Sequence, residues 1–196
     1  MNYKSFLDNI NQKTQLTEDE EFILISKLKQ RTYLKGQYII QQDDIYRYQT
    51  FVVSGKVRTF YLDNDGNEHI VAFGIENWWV GDICSFTTQT PAEFNSQCLE
   101  KTEVIQIAFE DMEDLYREVP KLERYFRITI QKAYGNMSKR IVRNHSMPAK
   151  DRYLYFLETY PEIAQRVPQY MLASYLGITK EFLSRMRKKM ANDNKN

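Results

Sequence analysis

The sequence predicts an α+β chain: a β-sandwich or barrel flanked by helices, then one long amphipathic helix, then a pair of short helices at the C-terminus. Three observations carry this. Residues 32–109 hold short β-rich runs separated by turn signals, residues 121–145 carry one apolar stripe at helical spacing, and residues 169–186 read as helix, tight turn, helix. The 196 residues are 42% apolar and 27% charged, the composition of a folded chain with a core rather than a disordered or fibrous one.

Residues 1–30 read as helical. Thr17 stands where an N-cap belongs and Glu20 at the third helical position, the pattern of a capping box. Phe22, Ile25 and Leu28 follow at helical spacing. The β-rich runs are residues 37–40, 50–53, 56–62, 68–73 and 102–107. Lys35-Gly36, Ser54-Gly55 and the stretch 63–67 punctuate them. Asp65-Gly66 between two alternating runs predicts a hairpin in which both residues take positive φ. Several short strands at this spacing indicate a sandwich or barrel, with Trp78 and Trp79 expected in its core.

From residue 109 the period becomes helical, and Pro120 divides it into a helix over 109–119 and a longer one beyond. In the second, Leu122, Phe126, Ile130, Ala133, Met137 and Ile141 recur every three or four residues. A body this small covers such a stripe only in part, so a second copy is its natural cover; an internal core helix is the alternative. Pro148 opens a helix over 148–159, Pro161 ends it, and Pro168 opens the next.

In QYMLASYLGITKEFLSRM, beginning at Gln169, the residues Leu172, Leu176, Ile178, Leu183 and Met186 point to one shared core. Ala173 lies where two helices cross and must be small. Gly177 occupies the turn, where a left-handed backbone is cheap only for glycine. Thr179 is the N-cap of the second helix. The opposite face of that helix carries Lys180, Glu181, Ser184, Arg185 and Lys188; such a face enters a major groove, where Lys180, Glu181, Ser184 and Arg185 suit base edges. Gln169, Thr179, Arg187 and Lys188 suit backbone phosphates. Charge agrees: residues 139–196 hold 12 Lys/Arg against 5 Asp/Glu, net +7, whereas residues 1–138 hold 15 against 21, net −6. A basic end on an acidic body fits a polyanion partner.

These parts, in this order, resemble the Crp–Fnr superfamily of transcription regulators over roughly residues 5–190. The resemblance rests on residues 33–39 as the opening barrel strand, 51–58 as strand, turn and strand, 65–68 as a hairpin turn, and 179–185 as the recognition helix. It implies a double-stranded β-helix (jelly-roll) sensor barrel over 30–108, a parallel homodimer through 121–145, and two-fold symmetric DNA as partner. The two recognition helices would then lie about 34 Å apart. It places base contacts at Lys180, Glu181 and Arg185. The expected domains are residues 1–120, 121–146 and 147–196. Only seven residues separate Tyr160 from Pro168, so the β-hairpin wing that many relatives carry there is expected to be reduced or absent.

The resemblance also locates a candidate effector pocket at Gly81, Asp82, Ile83, Cys84, Asn95, Ser96 and Gln97. Cyclic-nucleotide-binding relatives place an arginine near the phosphate, but here no Lys or Arg lies between Arg58 and Lys101. A buried phosphate would lack its cation. The expected effector is therefore something other than cyclic AMP, or none, and no cofactor is identified. Two separated cysteines do not make an iron–sulfur site, and nothing singles out His69 or Cys84 as a haem ligand. RNA polymerase is a further candidate partner.

An enzyme is the first competing reading. A metal-dependent barrel needs clustered His and carboxylate ligands, yet the two histidines, His69 and His145, fall in different elements. A ligand-sensing module acting on a protein without binding DNA is the other alternative. The first twenty residues lack the pattern of a signal peptide and no run is long enough to span a bilayer, so a cytoplasmic location with reduced thiols is expected.

Overall fold

The computed structural model describes residues 3–193. Positions 1–2 and 194–196, the outer ends of the first and last expected domains, lie outside the described residues. Two helices lead, α1 (Lys4–Asn11) and α2 (Glu18–Ser26). The predicted capping box is present at α2: the Thr17 hydroxyl accepts from Glu20 N at 3.3 Å and the Glu20 carboxylate accepts from Thr17 N at 2.7 Å. The helical reading of residues 1–30 fails at its end. Leu28 opens a strand, β1 (Leu28–Tyr33), paired along its length with β8 (Thr102–Ala108). Phe22 is 75% exposed, and Leu24 is the residue of α2 that enters the core.

Between them run β2 (Tyr38–Ile40), β3 (Tyr48–Ser54), β4 (Val57–Leu62), β5 (Glu68–Gly74), β6 (Trp79–Val80), α3 (Ile83–Thr88) and β7 (Asn95–Cys98). Two four-stranded antiparallel sheets result, ordered β1-β8-β3-β6 and β2-β7-β4-β5. The barrel therefore begins with two strands, β1 and β2, rather than one over 33–39. The hairpin between β4 and β5 also differs from expectation. Only Gly66 takes positive φ (+82°), and the turn is held by Asp63, whose carboxylate accepts from Asp65 N and Asn67 N at 3.0 and 2.8 Å. An acceptor side chain at the turn's start does the work that a second left-handed residue would have done.

Alternation along the strands builds three layers. Tyr33, Val52, Val57, Cys98 and Val104 face each other between the sheets. On the outside of the first sheet, Phe51, Ile105 and Ile107 meet Phe6, Ile10 and Leu24. That cluster also takes Met112 and Leu115 of α4 (Phe109–Glu118) and Leu122, Tyr125 and Phe126 of α5 (Lys121–Ser146). Trp79 packs here edge-on to Phe6 and Phe51, whereas Trp78 is 38% exposed beside Tyr160. On the outside of the second sheet, Phe60, Ile70 and Phe73 join the C-terminal helices in one cluster.

The C-terminal helices are α6 (Ala149–Thr159), α7 (Pro161–Arg166), α8 (Gln169–Tyr175) and α9 (Lys180–Asp193). Pro148 is the N-cap of α6, and Pro161 both closes that element and opens α7, a short helix the sequence reading lacked. The segment between α6 and α8 is this helix; no strand is formed there. No helix among the described residues is long and apolar enough to cross a membrane.

Candidate nucleic-acid interface and barrel interior

The hairpin of α8 and α9 is built as the sequence predicts. Leu172, Ala173, Leu176 and Leu183 are each at most 4% exposed, and Ile178 and Met186 pack at the margin of the same cluster. Gly177 takes φ +67° and ends α8 in a Schellman arrangement, with Ile178 N on Ala173 O and Gly177 N on Ser174 O, both 3.0 Å. The Thr179 hydroxyl then accepts from Phe182 N at 3.1 Å and starts α9. A side-chain cap of this kind contributes about 1 kcal/mol.

α9 runs 14 residues, about 21 Å at 1.5 Å per residue. Lys180, Glu181, Ser184, Arg185 and Lys188 lie along one side of it and all are exposed. Arg187 is exposed on the flank of that face. Lys180, Arg185, Arg187 and Lys188 form no ion pair among the described residues, unlike the paired cations elsewhere in the chain. Gln169 differs from the expected phosphate contacts: it is only partly exposed, and its Oε1 is buried without a hydrogen-bond partner.

The dimerisation stripe divides in two. Leu122 and Phe126 are 1% and 7% exposed and belong to this chain's own core, so they are not available to a partner. Ala133 is exposed, as are Ile130 (48%), Met137 (48%) and Ile141 (50%). Tyr134 (67%) and Val142 (62%) add to the apolar surface and were not part of the expected stripe.

Residues 81–84 open α3 and residues 95–97 form β7, and their polar groups are committed to other atoms of this chain. Gly81 has φ +117° and the Tyr46 ring lies against it; a Cβ there would stand 2.3 Å from ring carbons. Tyr46 is 2% exposed and its hydroxyl donates to Val80 O at 2.8 Å; burial pushes its phenol well above the usual range. The Asp82 carboxylate, 3% exposed, accepts from Cys84 N, Ser85 N and Glu93 N at 3.0, 3.1 and 3.0 Å. Ser96 Oγ is 3.0 Å from Thr59 Oγ1, Asn95 Oδ1 accepts from Gln42 N, and Gln97 Oε1 accepts from Arg58 Nε at 2.9 Å. Arg58 itself is 6% exposed and closes a two-pronged pair with Glu68. Ile83 is half exposed and the Cys84 thiol is free and exposed; Cys98 is free and buried. A cleft of about 490 Å³ is lined by Arg31, Tyr33, Tyr38, Tyr46, Tyr48 and Gln106 among others; Tyr46 borders it and Gly81 alike, but none of the seven expected residues lines it. His69 pairs with Asp63 at 2.7 Å, which holds the Asp63 carboxyl down at about 2. No group of three or more His, Cys, Asp or Glu among the described residues could hold a metal ion.

The hairpin is not free of the barrel. Arg166, the last residue of α7, meets Glu76 through both guanidinium nitrogens at 2.8 and 3.0 Å and Glu100 at 2.8 Å. Lys56 Nζ pairs with Glu100 at 3.1 Å and donates to Arg166 O at 2.7 Å. The Arg166 hydrogen bonds outweigh partial burial and hold the Glu76 carboxyl down at about 2. Ser174 of α8 accepts from Ile70 N at 2.9 Å and donates to Glu68 O at 3.1 Å, so it covers the outer edge of β5. Where β5 bulges, Val71 has no partner on β4, and its carbonyl accepts from Arg140 of α5. These contacts join residues 44–110 apart in sequence, beyond the reach of any local sequence signal.

A jelly-roll barrel, a long helix with an exposed apolar stripe and a helix-turn-helix with an unpaired cationic face define a class: a sensor-type barrel coupled to a nucleic-acid-binding-type hairpin. Comparison with known proteins agrees. The family model described as cyclic nucleotide-binding domain matches residues 30–119. The transcriptional activator protein Anr of Pseudomonas protegens is 28% identical over 127 residues, 65% of this chain and 51% of that protein. Its counterpart in Pseudomonas aeruginosa is 26% identical over 167 residues, 80% of this chain and 68% of that one. The solved structure of the c-di-GMP responsive global regulator CLP of Xanthomonas campestris covers 91% of this chain and 93% of its own, with TM-score 0.74 at 19% identity, a likeness of fold. Residues 30–119 are thus similar to a cyclic nucleotide-binding domain, and 65–80% of the chain is similar to these two transcriptional activators. The chain spans only about half the length of the first of these relatives, and both curated relatives are transcription regulators rather than enzymes.

Proposed function

We propose that the chain is a homodimeric, DNA-binding transcription regulator that reads a two-fold symmetric site with α9. Lys180, Glu181, Ser184 and Arg185 contact base edges, and Thr179, Arg187 and Lys188 hold phosphates, with Gln169 reaching the backbone only through its amide nitrogen. The observation that carries this reading is the exposed face of α9, whose cations form no ion pair among the described residues while the opposite side of the helix is locked into the hairpin core. Two copies pair through Ile130, Ala133, Met137 and Ile141, joined by Tyr134 and Val142. Selection from a random DNA library, followed by gel shifts over a salt series, tests it. A recovered inverted repeat bound with a steep salt slope is the expected result; recovery of no sequence would favour a module acting on a protein partner.

The same reading gives the barrel an effector other than cyclic AMP, or none. Its support is the engaged polar groups: Tyr46 occupies the space over Gly81, and the hydrogen-bonding groups of Asp82, Asn95 and Ser96 are taken by this chain's own atoms. Cyclic AMP at millimolar concentration should leave the melting temperature unchanged. A rise that follows ln(1 + [L]/Kd) would overturn this part of the proposal.

A further inference from the structure

We propose that Lys56, Glu76, Glu100, Arg166 and Ser174 are positioning residues, which set the angle of the α8–α9 hairpin on the barrel and so the half-site spacing at which two copies grip a duplex. The proposal rests on the DNA-binding reading given above.

The apolar cluster shared by β5 and the C-terminal helices holds the two parts together but does not orient them. Apolar burial is non-directional, and a hairpin can slide or rock on an apolar face at small cost. Charge-assisted and two-pronged hydrogen bonds are directional, and here they act at separate places. Arg166 is fixed to Glu76 and Glu100, Ser174 is fixed to the edge of β5, and Arg152 of α6 donates to Met147 O and Leu176 O at 2.7 and 3.0 Å. Arg166 and Ser174 thus fix the C-terminal helices to the barrel at two separate places, and Arg152 ties α8 to α6 within the C-terminal part so that the helices turn together. The barrel side of the clamp is itself rigid. Gly55 N donates to Glu76 Oε1 at 3.0 Å, and a Cβ on Gly55 would stand 2.5 Å from Thr102 Oγ1 and 2.8 Å from Lys101 O.

The lever from clamp to α9 is short. Val167 and Pro168 alone separate Arg166 from α8, and Pro168 sits at φ −60°, where its ring locks it. Gly177 and Thr179 then define the turn into α9. Rotation of Arg166 is thus passed to the recognition face with little slack, and in a two-fold dimer a small rotation of each hairpin becomes a change in the distance between them.

The test uses the full-length protein and DNA libraries that hold the selected half-sites constant while varying the spacer between them. The parent should favour one spacer. Glu76→Gln with Glu100→Gln should keep the same half-site bases but lose roughly tenfold in discrimination between that spacer and its neighbours, equivalent to about 1.4 kcal/mol. Arg166→Gln, which removes the same contacts from the hairpin side, should lose discrimination to the same degree. An unchanged spacer profile in the double glutamine variant would overturn the proposal. Spin labels at Asp65→Cys and Ala191→Cys on a Cys84→Ser background supply a readout that needs no DNA. One narrow distance in the parent should broaden in the glutamine variant, and an equally narrow distance in both would also overturn it. If the parent binds no DNA at all, the DNA-binding reading falls, and the label distances still decide whether the clamp orients the hairpin.

Discussion

The phenol ring of Tyr46 lies against Gly81, close enough that a single added carbon would stand 2.3 Å from it. Two independent penalties therefore meet at Gly81. Its φ of +117° is a region closed to other residues, and its α-carbon has no room for a methyl group. Backbone strain of this kind costs about 1–3 kcal/mol and overpacking about as much again. Gly81→Ala should lose about 2–5 kcal/mol in denaturant unfolding, whereas Gly66→Ala, with open space around its Cβ position, should lose only the strain. Equal losses at both sites would show that the ring can move aside.

How much of this was readable follows from where each signal sits. The α8–α9 hairpin was legible because its determinants are consecutive: a small residue, a glycine, a cap and spaced leucines within eighteen positions. The strand β7 was not. Its residues Asn95, Ser96 and Gln97 are polar, and they form a strand because its backbone pairs with β2 and β4 on either side while Ser96 bonds Thr59 in the interior and Gln97 bonds Arg58 on the other face. The helix α3 runs against propensity: Ile83, Thr87 and Thr88 favour strands, but Asp82 ties down its first turn. The effector pocket was placed by resemblance, which located the segment without revealing that Tyr46, some thirty-five positions earlier, fills it. The clamp at Arg166 depends on Glu76, ninety positions away, and no period or motif encodes that distance.

Base contacts and phosphate contacts on α9 should separate in solution. Arg185→Ala should cost about 1–3 kcal/mol on the selected site and relax the preference at one position in each half-site. Lys188→Ala should weaken binding to all sequences alike and reduce the salt slope by about 1 per protomer. Gel shifts on the selected site and on single-base variants measure both. If Arg185→Ala leaves the preference intact, that side chain does not read a base.

Acid should act through Glu76. Its folded-state value is depressed to about 2 from a usual 4.5, so the carboxylate contributes stability above the unfolded value, and that contribution is lost as pH falls from about 4.5 towards 2. Arg166 stays charged throughout that window. Glu76→Gln should therefore be less stable than the parent at pH 7, and the difference should shrink steadily below pH 4.5. Denaturant midpoints of the two proteins at several pH values measure this. A constant difference down to pH 3 would show that Glu76 acts through packing rather than charge.

The division of α5 makes a last prediction that distinguishes pairing from folding. Leu122 is wholly buried in its own chain, so Leu122→Ala should cost about 2–5 kcal/mol of stability in any oligomeric state. Ile130, Met137 and Ile141 are each about half exposed in the single chain, and a charge at any of them meets water unless a second copy covers the helix. Ile130→Asp with Met137→Asp should therefore leave the protein folded, with an unaltered far-ultraviolet circular dichroism spectrum, but convert it to a monomer in sedimentation velocity. Site-specific DNA affinity should fall with it, because one hairpin then faces the duplex without its twin. A doubly substituted protein that still sediments as a dimer would place the pairing surface elsewhere and remove α5 as the axis of the assembly.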